Sequence, residues 1–260
     1  MIELDMTQRD IVYELCNKSE EVLVRSAMEG TMGRVWVEEI YNPTFCLVLV
    51  GDFAYLLGLP PRGKQALDLR ATLIMECEEK MINPEYEAWS EWLEENLDCS
   101  YRKLSRYALR KKDKKDFDLD LLDSYINALP SGFEIRMIGE KEYEDALKEE
   151  WSRDFVGNYK DVKDFLENGL GYVIYSGDTL VSGCSAYGFS EGYLEVEVGT
   201  KIGYKRKGLG IAASASFIKK CVENDIYPNW DAANMHSVEL ASKLGYVFDK
   251  EYIVYQIHED

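Results

Sequence analysis

Histidine is nearly missing from this sequence: His236 and His258 are the two present in 260 residues. Neither lies at a zinc spacing from a cysteine, so no metal site is expected. The six cysteines, at 16, 46, 77, 99, 184 and 221, are scattered and form no CxxC pair. In a chain of this size they read as reduced thiols, mostly small core residues, and place the protein in the cytoplasm. Positive charge is also short, with 30 Lys and Arg against 48 Asp and Glu, a formal net charge of −18. That balance argues against nucleic acid or an anionic membrane as a general partner. No apolar run is long enough to cross a bilayer. The opening, MIELDMTQRD, is acidic and polar, unlike a signal peptide. No internal repeat or low-complexity stretch stands out.

What is present is a hydrophobic content of 46% over a length that is generous for one compact domain. Two domains are expected, 1–130 and 131–260, with the break at Pro130-Ser131-Gly132. In the first, residues 1–30 read as helical, with Thr7 as a cap. Strands are predicted over 34–40, 45–50 and 53–57, helices over 64–81 and 84–96, and Pro84 sits in the first turn of the second. A strand over 101–109, a solvated turn at 111–115 and a helix over 119–129 follow. Trp36, Trp89 and Trp92 read as packing residues, with a binding wall as the alternative.

After 131 the grammar is more regular. It predicts a strand over 133–138, helices over 140–151 and 160–168, and a hairpin of strands 171–175 and 179–187 turning at Ser176-Gly177-Asp178. A strand over 193–200 leads into the most telling stretch, 198–218, VGTKIGYKRKGLGIAASASFI. Lys201, Lys205, Arg206 and Lys207 crowd into a few residues of an otherwise acidic chain. Gly208 and Gly210 follow, and then a helix reaching 223. Glycine lets backbone N–H groups approach an anion closely. A helix start adds unpaired donors and a positive dipole end. Strand, basic glycine turn and helix together make a phosphate site. A short strand over 226–230, a helix over 234–244 ending at Gly245 and one or two strands over 246–257 close the chain.

Two motifs in this half resemble the GNAT family, the Gcn5-related N-acetyltransferases. Lys205-Arg206-Lys207-Gly208-Leu209-Gly210 is similar to the family's pyrophosphate loop, Q/R-x-x-G-x-G/A. The segment from Asn234 through Ser237, Leu240 and Leu244-Gly245-Tyr246 is similar to its N-x-x-S/A…L-x-x-x-L-G-F/Y block. The resemblance implies an α/β (α+β) acyl-CoA acyltransferase fold over 131–260, a mixed central sheet flanked by helices, preceded by a smaller α/β domain of unassigned role. It implies acetyl-CoA as co-substrate, lying between the strand that ends at Thr200 and the next strand near Trp230. Val198, Gly199 and Thr200 would meet the pantetheine arm. Lys205, Arg206, Lys207, Gly208, Leu209 and Gly210 would hold the pyrophosphate. Asn234 and Ser237 would add contacts from their helix, and plain capping by Asn234 is the competing explanation. Two departures are visible. Lys205 replaces Gln or Arg and lacks the planar fork, and Ala241 stands where many members have the tyrosine that reprotonates the leaving thiolate.

The chemistry needs a neutral amine aligned on the thioester and a donor for the oxyanion, for which a backbone N–H near Val198 is the candidate. Glu195 and Glu197 alternate with Val196 and Val198 and so share one strand face. Either they serve as general base through water, or they form structural pairs, or they bind a cationic amine. His236 reads as a surface residue. The expected function is acetyl-CoA-dependent N-acetyltransfer to a primary amine of a small, cationic acceptor. Ala241 keeps open a second reading, a CoA-binding sensor without turnover, and a nucleotide in the basic turn is a third. The sequence leaves the oligomeric state open.

Overall fold

The computed structural model describes residues 1–110 and 112–258. The chain is mixed α/β and divides into two compact units. One comprises Met1–Arg106 together with the residues from Glu251 onward; the other is Tyr107–Lys250.

The first unit holds a mixed sheet. Strands β1 (Ile2–Leu4), β2 (Arg34–Val37), β3 (Phe45–Val50) and β4 (Phe53–Gly58) are antiparallel neighbours, and β5 (Met81–Pro84) joins β4 in parallel. The last strand of the chain, Val247–Ile257, then pairs Tyr255 with Ile82, and β6 (Tyr101–Arg110) lies beyond it. β3 is buried along its whole length, as its run FCLVLV predicts for a central strand. Helices α1 (Tyr13–Cys16), α2 (Val22–Met28), α3 (Gly63–Glu76) and α4 (Glu87–Asn96) complete the unit. Trp36, Trp89 and Trp92 are core residues. Trp89 donates its indole N–H to the Gly58 carbonyl and Trp92 to that of Pro61, at 2.9 and 2.8 Å, so they pack and tie loops rather than line a binding wall.

Three expectations for this unit need correction. Residues 1–30 are not one helical run: β1 comes first, then a 3-10 turn over Met6–Val12. Asp5, not Thr7, caps that turn, accepting from the Thr7 amide at 2.8 Å. Pro84 ends a strand instead of opening a helix, and α4 begins at Glu87.

In the second unit, α5 (Leu119–Asn127) precedes a five-stranded sheet in the order β11-β10-β9-β8-β7. Its strands are β7 (Phe133–Met137), β8 (Gly171–Ser176), β9 (Thr179–Ser190), β10 (Tyr193–Thr200) and β11 (Tyr227–Asn229). Neighbours are antiparallel except β10 and β11, which run parallel. Gly177 adopts φ +59° in the β8–β9 hairpin, as its turn requires. Strand β12 (Asp231–Ala232) pairs with Tyr107 and Ala108. The helix expected over 140–151 is two, α6 (Glu140–Leu147) and α7 (Glu150–Arg153); α8 (Val162–Asn168) follows. α9 (Leu209–Glu223) lays Ala212, Ala213, Ala215, Phe217 and Ile218 into the core, and α10 (Met235–Lys243) buries Val238 and Ala241. Phe117 and Leu122 belong to this core although they precede Pro130. Of the turn expected over 111–115, Lys111 lies outside the described residues, and Lys114–Asp116 form a single 3-10 turn.

Candidate functional site

Strand β10 is held on both sides for only part of its length. Tyr193, Leu194 and Glu195 pair with Tyr227, Pro228 and Asn229 of β11, and there the parallel ladder stops. On the other side β10 stays paired with β9 as far as Thr200 opposite Ser182. From Val196 to Thr200 one edge of β10 therefore has no strand partner among the described residues. An open main-chain edge of this kind can take an extended amide-bearing ligand as an added strand.

The far end of that edge is pinned. Gly199 lies opposite Gly183, and the Phe155 ring covers the pair: a Cβ at Gly183 would fall 2.7 Å from Phe155 Cε2 and one at Gly199 3.1 Å from Phe155 Cζ. The Ser182 hydroxyl donates to the Gly199 carbonyl at 2.9 Å and receives a 2.8 Å bond from the Thr200 hydroxyl. Lys201 N–H donates to the Val181 carbonyl at 2.9 Å. A turn follows, closed by the Tyr204 amide on the Lys201 carbonyl at 3.0 Å.

Backbone conformation then becomes unusual. Arg206 takes φ +65° and Gly208 φ +78°, with Lys207 between them on the ordinary side. Alternation of this type turns successive amides toward one concavity, an anion-binding nest. Arginine in the left-handed region is strained by roughly 1–2 kcal/mol. Gly208 is the N-cap of α9 and offers no side chain to the first turn. The first helical bond runs from the Ala212 amide to the Gly208 carbonyl. Among the described residues, the amides of 208–211 have no acceptor. Gly210 sits against the strand end: a Cβ there would lie 3.4 Å from Thr200 Oγ1. The helix start and the open edge of β10 are thus close neighbours.

The four cations are not equivalent. Lys201 Nζ is 2.7 Å from Glu149 Oε1, and its bond holds that carboxyl below the ordinary range. Lys207 Nζ lies 4.8 Å from the centre of the Tyr204 ring. Lys205 and Arg206 are exposed and have no ion-pair partner among the described residues. Only these two and Lys207 keep their charge available at the amide-lined bend.

Asn234 caps α10, its Oδ1 accepting from the Ser237 amide at 3.1 Å. Ser237 Oγ accepts from the Trp230 indole N–H at 3.1 Å. Trp230 itself is buried, edge-on to Tyr246, so it packs. Ala241 is buried and brings no hydroxyl to the site. Tyr246 donates its hydroxyl to the Pro228 carbonyl at 2.6 Å, and burial raises its pKa well above the usual value. His236 is on the surface, near Glu239.

Glu195 and Glu197 have different environments. Glu195 is 8% exposed, and Asn229 Nδ2 donates to its Oε2 at 2.6 Å. Glu197 is partly exposed, lies opposite Ser185 and sits beside the unpaired edge. Cys184 is buried; burial raises its pKa, and the Glu197 charge adds to that. Sequence reasoning did not find Asn229, Glu149 or Ser182. Their roles depend on the parallel register and on contacts between distant segments, which leave no local pattern.

The model of the GNAT acetyltransferase family matches residues 13–255 of the chain. A protein of Bacillus subtilis (strain 168), described as the uncharacterised N-acetyltransferase YdfB, is 29% identical over 131 residues. That match covers 49% of this chain and 49% of the relative, so the chain spans about half of that relative's length. The crystal structure of a GCN5-related N-acetyltransferase-like protein from Streptococcus suis 89/1591 superposes with a TM-score of 0.87 at 37% identity, covering 96% of this chain and 98% of that one. A GCN5-related N-acetyltransferase from Kribbella flavida shares the fold, with a TM-score of 0.55 at 15% identity and coverage of 98% and 95%.

Proposed function

The chain belongs to the GNAT acetyltransferase family, and on that premise we propose that it transfers an acetyl group from acetyl-CoA to a primary amine of a small, cationic acceptor by direct attack in a ternary complex. One observation carries the reading: four consecutive amides, 208–211, without acceptors among the described residues, beside an unpaired edge of β10. A diphosphate would satisfy the amides, with Lys205, Arg206 and Lys207 around it. The main chain of Val198, Gly199 and Thr200 would pair with the pantetheine amides. Asn234 and Ser237 would contribute only through groups not already engaged in the cap and the Trp230 bond.

Acetyl-CoA supplies an activated acetyl thioester. The chain must orient the amine, remove its proton and donate to the developing oxyanion. Glu197 fits the base, because it is partly exposed beside the open edge and can reach the amine through water. Glu195 fits a positioning role, since Asn229 already engages its carboxylate in a buried site. A backbone N–H near Val198 fits the oxyanion donor. Excess negative charge on the protein favours a cationic acceptor. No helix among the described residues is long and apolar enough to cross a membrane, and the coenzyme pool that this reading needs is cytoplasmic.

Calorimetry with CoA, followed by a CoA-release assay over a panel of primary amines, tests the proposal. Heat of binding together with turnover on a cationic amine supports it. No heat at all would remove it. Binding without turnover on any amine would leave the sensor reading, which Ala241 favours.

A further inference from the structure

The two units repeat one another in topology. In the first, β1 leads through the 3-10 turn, α1 and α2 to β2, β3 and β4, then to α3, β5 and α4. In the second, β7 leads through α6, α7 and α8 to β8, β9 and β10, then to α9, β11 and, after β12, α10. Both sets of strands lie side by side in chain order, β1 to β5 and β7 to β11. Neighbours are antiparallel in each set except the last pair, β4 with β5 and β10 with β11, which is parallel. β4 is therefore the counterpart of β10, and the turn from β4 into α3 (Gly63–Glu76) is the counterpart of the basic turn.

The end of β4 is closed where that of β10 is open. Its parallel ladder reaches Leu56 opposite Pro84, and the Glu85 amide extends it by donating to the Leu56 carbonyl at 3.3 Å. Gly58 comes next on the same side. Its N–H donates to Glu85 Oε2 at 3.2 Å. Its carbonyl accepts from the Tyr86 hydroxyl and, at 2.9 Å, from the Trp89 indole. These main-chain groups are the ones an added extended ligand would have to use. The Leu59 amide is spent on the Thr44 carbonyl at 2.9 Å. Pro60 and Pro61 have no N–H to offer, and the Pro61 carbonyl takes the Trp92 indole at 2.8 Å. Trp89 and Trp92 are buried. The first turn of α3 keeps the unpaired amides of any helix start, but a pair of prolines stands before it where the second unit has its basic turn.

We infer that the chain is a structural duplication with a single coenzyme cleft. The second copy keeps the cleft. In the first, Glu85, Tyr86, Trp89 and Trp92 close it from within, and that unit binds no CoA. The closing residues lie at and just before the start of α4, the counterpart of the helix that Asn234 caps. The inference rests on the acetyltransferase reading of the second unit.

Calorimetric titration of the full chain with CoA, together with hydrogen exchange on the complex, tests it. The expected stoichiometry is one CoA per chain. Bound CoA should slow exchange at least about tenfold in peptides spanning 196–211 and leave peptides spanning 53–66 and 81–97 unchanged. Gly208→Ala should abolish binding altogether, with no residual site. The double variant Arg62→Ala, Lys64→Ala removes the exposed cations at the start of α3 and should bind CoA within about twofold of the wild type. Two CoA molecules per chain, protection of 53–66 or 81–97, or loss of binding in the Arg62→Ala, Lys64→Ala chain would each overturn the inference and leave the acetyltransferase reading standing. No binding anywhere would remove that reading and the inference together.

Discussion

Asn229 donates to the carboxylate of Glu195 at 2.6 Å across the last paired rung of β10 and β11. One residue further along, the two strands are no longer partners. The bond therefore marks the vertex from which the open edge of β10 departs. A buried carboxylate that loses a donor costs about 1–3 kcal/mol. Asn229→Ala should lower second-unit stability by that amount in denaturant unfolding. It should also raise the KM for acetyl-CoA more than it lowers kcat, because it loosens the edge and not the chemistry. An equal fall in kcat with unchanged KM would assign Glu195 to the reaction itself.

Glu197 is expected to act differently. If it takes the amine proton through water, Glu197→Gln should lower kcat by about 10²–10⁴. CoA affinity should stay within about twofold, and the fall in kcat should persist across pH. Steady-state kinetics across pH and calorimetry with CoA read these separately.

The cations of the basic turn should separate by their neighbours. Lys201 is already neutralised by Glu149 at 2.7 Å, so Lys201→Ala should change CoA affinity by less than about threefold, the scale of an exposed pair. Lys205→Ala and Arg206→Gly should each weaken it by about tenfold, as charge-assisted contacts to phosphate do. Arg206→Gly also removes the strain of φ +65°, so its melting temperature should not fall. Calorimetry beside thermal denaturation measures both effects.

Gly208→Ala places a Cβ in open space but at φ +78°. The cost is conformational, about 1–2 kcal/mol, and falls on the amides that would face the diphosphate in the proposed complex. A drop in stability of that size together with loss of CoA binding is expected. Full affinity in this variant would show that the bend is not the anion site.

Acid stability should depend on Asp145. Lys148, with Tyr175 and Lys141, holds its pKa at about 2, below the 3.8 of the unperturbed group. A depressed folded-state value stabilises the protein above about pH 4, and that contribution is lost as pH falls toward 2. Asp145→Asn should therefore be less stable at neutral pH and should show a flatter decline over pH 4 to 2 in acid unfolding followed by circular dichroism.

Much of this was legible in the residues. The β3–β4 hairpin follows from the apolar run FCLVLV and its sequel FAYLLG. The order of strand, basic turn and helix around Gly208 follows from charge, glycine and small residues in succession. Other parts left no local mark. The break between α6 and α7 falls at Lys148 and Glu149, both good helix formers, so no breaker announces it. β5 has four residues, and its Pro84 reads equally well as a helix start. The left-handed Arg206 carries no signal, because glycine or asparagine is the usual occupant. The unequal worth of the cations depends on Glu149, 52 residues from Lys201 in the chain.

The first unit takes its closing strand from the residues that begin at Glu251, after the whole of Tyr107–Lys250 has been made. On the ribosome, then, the half that is begun earliest is finished latest. β5 and β6 must wait, without the strand that lies between them, until the acetyltransferase motifs have already emerged.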